Sequence, residues 1–589
     1  MSDFDPAIAN GDQQAFLRHI DLFAPLDAAG IAELAGELEA RMLPGGTALF
    51  DEGDAADALY IVRSGGLAAY RREPDGVLVL LGMIGIGEVA GEISLIARTA
   101  RASLVRALRD SVVLRLSAAG FHRLVAKYPQ AMLHSVGITA RHLLERPGEV
   151  RYSAPRTFAI LAHDAGVDAQ GFARGLATAL SRYGSCALVD AAVARGRDAA
   201  WLHEIEAGHR YVLLLGDAGE AAWREHCARQ ADAFLLPVNA ADGASAWPEV
   251  AFINAERMPL RTRHLVLLHA GDIGPGRASA WLAQVRGARH HHVRGSSSGA
   301  DIERIARLLV GRSMGLVLSG GGARGFAQIG IVRALREGGQ QIDCVGGTSI
   351  GAIIGAGVAL DWSDEEMFYN YRRAFVEGRP LRDYTFPFIS LTRGHRVASL
   401  LREAFGERDI TDLPLPFYAV ATNLTTGTAQ VQRAGPLWFW LRAASAIPGV
   451  LPPVFHRGEV FVDGAVINNL PVDPMREAQV ADVIGIDIGA DDVLHAQVEE
   501  AFLPALWRTM LDHLRRRPRP GILNILLRAG MVNSEVASAA RRAQASLLLA
   551  PPMRDIGLLD WHEYERAIAA GYRFARETLG PGAKQRSVP

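Results

Sequence analysis

Gly315-Leu316-Val317-Leu318-Ser319-Gly320-Gly321-Gly322-Ala323-Arg324-Gly325-Phe326 runs from a short apolar strand through three consecutive glycines into an amphipathic stretch ending near Leu335. Glycines there let the backbone turn tightly and aim its N–H groups at an anion, helped by the following helix N-terminus. The spacing Gly320-x-Gly322-x-x-Gly325 also suits a dinucleotide site. Such a site wants an acid at the end of its second strand, and here Asp343 stands at that strand's beginning. The strand ends instead in Gly347-Thr348-Ser349-Ile350-Gly351. A serine between two close glycines, with a strand over 343–346 before it and a helix over 352–360 after it, has the pattern of a nucleophile elbow. Both turns then lie at the carboxyl ends of adjacent parallel strands, where open α/β sheets bind ligands.

A serine nucleophile needs a base. Phe461-Val462-Asp463-Gly464-Ala465 supplies a carboxylate at a predicted strand end, although Asp-Gly is also an ordinary β-turn. His456 and His562 are the alternative bases, the latter in the Ser…Asp…His order of hydrolase triads. An aspartate of ordinary pKa, ~3.9, is a weak base for a hydroxyl. Asp463 therefore requires burial to raise it.

The rest of the 589 residues is too much for one core, so three or four domains are expected. Over residues 20–150, short apolar runs (58–62, 77–81, 111–116) separated by Pro/Gly turns, Pro74-Asp75-Gly76 among them, predict a small barrel or jelly roll. Helices are expected to flank it over 27–41 and 118–144. From 156 to 310, apolar strands (158–162, 211–215, 234–237, 265–269) alternate with helical stretches (170–182, 219–230), predicting an open α/β sheet. Lys127 and Lys584 are the only lysines and neither follows a glycine loop, so this unit is expected to lack a phosphate-binding P-loop and to act as a spacer. Residues 287–299, with His290, His291 and His292, read as a linker or exposed loop; a metal site there is the minor alternative.

A formal net charge of -2 argues against a nucleic-acid partner. Cys186, Cys227 and Cys344 are scattered and odd in number, as in a reducing cytosol. The N-terminal stretch has no basic-then-apolar leader, and no run reaches ~20 uninterrupted apolar residues. The expectation is a cytoplasmic protein, soluble or peripheral on the inner membrane face. The apolar stretch 436–453 reads equally as acyl pocket or as core, and 502–528, rich in arginine, as a bilayer-facing or simply solvated helix.

The ordered set Gly320-Gly321-Gly322-Ala323-Arg324-Gly325, Gly347-Thr348-Ser349-Ile350-Gly351 and Asp463-Gly464-Ala465 resembles the patatin-like phospholipases. The tail and the His290–His292 region are similar to bacterial relatives of neuropathy target esterase. The resemblance implies a Ser349–Asp463 dyad, an oxyanion hole from the 320–325 backbone, Gly347 and Gly351 framing the elbow, and no metal or other catalytic cofactor. It implies fatty-acid release from a phospholipid or lysophospholipid through an acyl-enzyme. A general carboxylesterase or phospholipase A is the alternative activity. Ser319 stands where many members carry an acid. Within the barrel, Gly91-Glu92 and, nine residues after Glu92, Arg101-Ala102-Ser103 resemble the phosphate cassette of cyclic-nucleotide-binding domains. That resemblance implies Glu92 on the ribose hydroxyl and Arg101 on the cyclic phosphate, with cAMP or cGMP as effector. The alternatives are an empty barrel kept for docking and a catalytically silent signalling protein. The expected architecture is multidomain: a cyclic-nucleotide-binding-like jelly roll over 15–150, an α/β spacer over 155–310 and a patatin-like α/β hydrolase domain over 312–580.

Overall fold

The computed structural model describes residues 13–72 except 19, 21 and 22; 78–129; 155–247 except 198, 217 and 218; 261–295 except 286; 299–489; and 539–580 except 554. The turn at 74–76, the end of the helix expected to reach 144, and the arginine-rich stretch 502–528 lie outside them. Contacts divide the chain into two units, one of residues 1–239, 244–266 and 284–289 and one of 240–243, 267–283 and 290–589.

The first unit begins with eight strands: β1 (Leu38–Leu43), β2 (Ala48–Phe50), β3 (Ala58–Ser64), β4 (Leu67–Arg72), β5 (Leu78–Ile84), β6 (Val89–Ala90), β7 (Leu104–Ala107) and β8 (Ser111–Ser117). They form two antiparallel sheets, β1-β8-β3-β6 and β2-β7-β4-β5, the expected jelly roll. Strand periodicity explains the continuous apolar run in β3. Leu59 and Ile61 face a cluster with Ile31 and Phe121 of the flanking helices. Tyr60 and Val62 face the barrel interior with Leu67 and Val105. The helix expected over 27–41 is shorter. Asp27 caps Ala28–Glu37 by accepting from Gly30 N–H at 2.7 Å, and Leu38 onward pairs with β8 in the register Leu38↔Leu116. A ladder with a buried neighbour overrides the helical propensity of Leu-Glu-Ala-Arg-Met-Leu.

The middle sheet comprises β9 (Thr157–Leu161), β10 (Cys186–Val189), β11 (Tyr211–Gly216), β12 (Ala233–Asn239), β13 (Thr262–His269) and β14 (Arg289–Arg294), in the order β10-β11-β9-β12-β13-β14. Every residue of β9 and β11 is buried, as in a sheet covered on both faces. Within the stretch expected as a linker, residues 289–294 form edge strand β14, and the helix Gly299–Leu309 follows. His292 is buried and donates from Nε2 to the Thr411 carbonyl at 2.8 Å, while its Nδ1 accepts from His269 Nε2 at 2.8 Å. Burial pushes its pKa down to about 3, so the neutral ring serves as a structural link. Polar residues satisfied pairwise inside an edge strand gave no apolar signal to read.

One buried ion cluster joins barrel and sheet within this first unit. Arg109, at the end of the β7–β8 turn, meets Glu206 Oε1 at 2.7 Å and Asp232 Oδ1 at 2.6 Å. Thr157 donates its hydroxyl to Glu206 at 2.9 Å, and Arg261 donates to the carbonyls of Leu108 and Ala228.

The second unit is built on β15 (Met314–Leu318), β16 (Cys344–Thr348), β17 (Phe417–Asn423), β18 (Thr428–Gln432), β19 (Val454–His456), β20 (Glu459–Asp463), β21 (Asp482–Ile486) and β22 (Leu547–Leu549). The order is β19-β20-β17-β16-β15-β21-β22, with β18 also on β17. Strands β17, β16, β15, β21 and β22 are parallel, and β20 returns antiparallel to β17, pairing Asp463 with Ala421. All ten residues of the helix Ile350–Ala359 are buried, so this apolar run is a central helix. No helix among the described residues is long and apolar enough to cross a membrane.

Candidate active site

Strand β16 ends at Thr348 and the chain turns at Ser349 into the helix Ile350–Ala359. Ser349 has φ 55° and ψ −129°, a left-handed conformation costly for a residue with a side chain. The neighbours make it sterically possible. A Cβ on Gly351 would stand 2.4 Å from the Leu318 carbonyl oxygen, and one on Gly347 2.7 Å from the Gly351 backbone. Only glycine fits either place, as the elbow reading requires.

Strand β20 brings Asp463 across the sheet top. Ser349 Oγ donates to Asp463 Oδ2 at 2.6 Å, and Ala465 N–H donates to Oδ1 at 2.9 Å. Both side chains are nearly closed off, Ser349 at 7% exposure and Asp463 at 4%. Burial raises the Asp463 pKa to about 6, against the lowering effect of its two hydrogen bonds. A short strap holds both residues from behind: Ala444 O accepts from Ser349 N–H at 3.1 Å and Ala446 O from Asp463 N–H at 3.0 Å.

The glycine turn packs directly on this pair, since a Cβ on Gly320 would lie 3.0 Å from Ser349 Cβ. Its amides are not equivalent. Gly320 N–H is committed to Asn469, through the carbonyl at 3.3 Å and Oδ1 at 3.1 Å. Ala323 N–H donates to Leu558 O at 2.8 Å. Gly321 and Gly322 keep amides without an acceptor among the described residues. The Arg324 side chain reaches Ile556 O at 2.5 Å and so braces the turn. Asn469 and the strap carbonyls of Ala444 and Ala446 escaped sequence reasoning. The only available signal for the first was the Asn468-Asn469 pair just beyond Asp463-Gly464.

The residues considered as alternatives lie elsewhere. His456 packs between the rings of Phe439 and Trp440. The His562 side chain is 76% exposed beside Glu563. Asp343, the acid considered for a dinucleotide, is buried against Arg307 at 2.7 Å. Of the apolar stretch 436–453, Leu437, Trp440, Leu441, Ala443 and Ala444 sit in the core. A separate small apolar crevice, with room for about one water-sized sphere, opens one helical turn beyond Ser349, lined by Ile353, Tyr371, Phe375, Val397, Leu401 and Phe405 among others.

In the barrel, Gly91 (φ 85°) starts the helix Glu92–Ala97, and Arg101 folds back over it. Arg101 is 2% exposed. Its Nη1 donates to Gly91 O at 2.9 Å and its Nη2 to Ala58 O at 2.6 Å, with Asp57 Oδ1 at 3.4 Å. The guanidinium lies 4.2 Å from the centroid of Phe50. Its Nε has no partner among the described residues. Burial raises the carboxyl of Glu92, opposed by the nearby Arg101 charge. Ala102 is exposed and Ser103 half-buried.

Three family models match in series. Residues 316–476 match the patatin-like phospholipases, 40–128 the cyclic nucleotide-binding domain, and 155–309 the P-loop like domain of the neuropathy target esterase family. The chain is 28% identical to a lysophospholipase of Aspergillus niger over 94% of this chain and 42% of that protein. It is 29% identical to an uncharacterized NTE family protein of Mycobacterium tuberculosis, covering 96% of both. The chain therefore spans less than half the length of its fungal relatives. In the barrel region it is similar to the catabolite activator protein of Thermus thermophilus, at 29% identity over 21% of this chain and 59% of that one, with a TM-score of 0.21.

Proposed function

We propose that this NTE-type chain is a serine lipid acyl hydrolase that releases fatty acid from lysophospholipids or phospholipids. The observation that carries the proposal is the 2.6 Å contact from Ser349 Oγ to Asp463 Oδ2 on a strained, glycine-framed elbow. Asp463 accepts the hydroxyl proton as Ser349 Oγ attacks the ester carbonyl carbon. Its pKa of about 6 makes it a better base than an ordinary aspartate while it stays ionised at neutral pH. The carbonyl oxygen becomes an oxyanion beside Gly321 N–H and Gly322 N–H, and each such fixed donor contributes ~10²–10³ in rate. Gly320, Ala323, Arg324 and Gly325 hold the turn that aims them. Collapse of the tetrahedral species passes the proton to the leaving alkoxide and leaves an acyl-Ser349, which water attacks with Asp463 again as base.

In the same reading the chain has three domains, over 15–150, 155–310 and 312–580, and acts from the cytoplasm at a membrane face. The barrel takes a cyclic nucleotide as effector through Gly91, Glu92, Arg101, Ala102 and Ser103. The unpartnered Arg101 Nε supports an anion there, although both Nη groups must be won from backbone carbonyls.

The test is a fluorophosphonate label on the full chain followed by peptide mapping, with fatty-acid release from lysophosphatidylcholine and phosphatidylcholine measured in parallel. Label on Ser349 and release from either lipid are expected. Absence of label, with hydrolysis surviving Ser349→Ala, would discard the dyad.

A further inference from the structure

The surface of the second unit carries one segment whose polarity is inverted. In residues 384–391, Tyr384 is 71% exposed, Phe386 73%, Phe388 88%, Ile389 66% and Leu391 42%. Thr385 is exposed with them, whereas Ser390 within the stretch and Thr392 just after it face inward, at 5% and 1% exposure. Scattered exposed apolar side chains are ordinary, but five large ones within eight residues are a contiguous patch of the kind that marks an interaction site.

The patch is not a frayed loop that could fold its rings away. Tyr384 and Thr392 form an antiparallel bridge. Thr385 N–H donates to Leu391 O at 3.0 Å and Arg393 N–H to Asp383 O at 2.8 Å. Ser390 Oγ donates to Thr392 O at 2.7 Å, and Thr392 Oγ1 to Val450 O at 2.8 Å. The inward positions are thus occupied, and the rings of Phe386 and Phe388, 4.8 Å apart, are held outward together.

Charge says what they face. Residues 379–396 contain Arg379, Arg382, Arg393 and Arg396 against a single acid, Asp383. Arg379, Arg382 and Arg393 are exposed. Aromatic rings bordered by arginine suit the boundary between headgroups and acyl chains, where rings settle and cations meet anionic lipid. A protein partner with an acidic rim would also meet the charge; contiguous exposed rings beside several exposed arginines and a single acid favour the lipid interface. Position agrees. Leu391 N–H and Thr392 N–H bind Gly449 O and Val450 O, on the same strap whose Ala444 and Ala446 carbonyls hold Ser349 and Asp463. Pro380 before the patch and Val397 after it both line the apolar crevice next to Ile353.

We propose that residues 384–391 are the bilayer-docking surface of the chain, with Tyr384, Phe386, Phe388, Ile389 and Leu391 entering the interface of an anionic membrane and Arg379, Arg382 and Arg393 meeting its headgroups. The purpose of such docking rests on the lipid-hydrolase reading; the docking itself is measured without it.

The full chain is sedimented with phosphatidylcholine vesicles with and without phosphatidylglycerol, beside the double variant Phe386→Ser/Phe388→Ser. The expected result is binding that increases with phosphatidylglycerol, weakens with salt, and falls about tenfold or more in the variant. Turnover of vesicle lipid should fall more steeply than turnover of a monomeric short-chain ester. A second measurement guards against a variant that misfolds: Phe388→Cys carrying an environment-sensitive fluorophore should shift to the blue when anionic vesicles are added. Equal vesicle binding by native and double variant overturns the proposal. So does a probe that is unmoved by vesicles, or one already in apolar surroundings before they are added, which would mean that the chain or a second copy covers the patch. The fluorophosphonate label scores the hydrolase reading separately. Labelling without vesicle binding removes the docking surface alone, and vesicle binding without labelling removes the hydrolase alone.

Discussion

The elbow at Ser349 and the cassette at Arg101 use one local device, a glycine turn opening a helix, and load it in opposite ways. Among the described residues, Ser349 Oγ has a single partner, Asp463, and the neighbouring Gly321 and Gly322 amides have no acceptor. Arg101 spends both Nη groups on its own barrel, on Gly91 O and Ala58 O. The first arrangement is assembled before any ligand arrives and does little for stability. The second is a brace that a ligand would have to share. The difference is therefore one of degree: donors around Ser349 are left open, whereas Arg101 leaves only its Nε unpartnered among the described residues.

The contrast breaks first, and hardest, at the nucleophile. Ser349→Ala should lower kcat by up to ~10⁶ while the thermal midpoint moves little, because only one hydrogen bond is lost and no cavity of consequence opens. Parallel ester assays and melting curves check both halves. Asp463→Asn comes next, with a loss of ~10³–10⁴ from removal of the base. For the native chain, log kcat/KM should fall with unit slope as pH drops below about 6, where Asp463 takes up a proton. Stability runs the other way. The folded pKa lies above the ordinary 3.8, so the contribution of Asp463 is complete below 3.8 and is lost as pH rises through 6. The cost at pH 8 is roughly 3 kcal/mol at most. Urea unfolding should show Asp463→Asn gaining on the native chain between pH 4 and pH 8.

Gly351→Ala tests the frame rather than the nucleophile. Its Cβ would meet the Leu318 and Ser319 carbonyl oxygens at 2.4 and 2.5 Å, so a loss of about 3 kcal/mol in unfolding free energy is expected, with activity falling alongside. The smallest effect sharpens the other side. Arg101→Ala should destabilise the barrel by about 2 kcal/mol, by leaving the Ala58 and Gly91 carbonyls unpaired, even with no nucleotide present. Calorimetry with cAMP and cGMP on the native chain then measures how much of the brace a ligand can claim. An Arg101→Ala barrel as stable as the native one would show that the arginine is held in reserve after all.

The order of domains and the elbow were legible because they depend on local rules. Gly347-Thr348-Ser349-Ile350-Gly351 announces its own steric need, and strands such as β9 and β11 are apolar throughout because both faces are covered. Asp463 was legible as a candidate only, since Asp-Gly says turn as readily as base until β20 is seen lying antiparallel on β17. Long-range pairing decided what was misread. Residues 38–43 carry helical propensity and become a strand because β8 offers a partner, and the stretch with His290, His291 and His292 looked like a linker because the hydrogen bonds of His292 go to His269 and Thr411, distant in sequence. The docking patch was missed for a related reason. In sequence Tyr384, Phe386, Phe388 and Ile389 are simply apolar residues, and only the fold shows that they face out.

Arg109, wedged between Glu206 and Asp232, sets the terms for any dissection of the molecule. Deleting residues 1–150 would remove the guanidinium that Glu206 and Asp232 share, and keeping only those residues would remove both of its carboxylates; either cut breaks a buried ion cluster and exposes its surroundings to water. Truncations made there will report the loss of this cluster along with whatever else they remove, so the role of the barrel is best tested by point substitution within the intact chain.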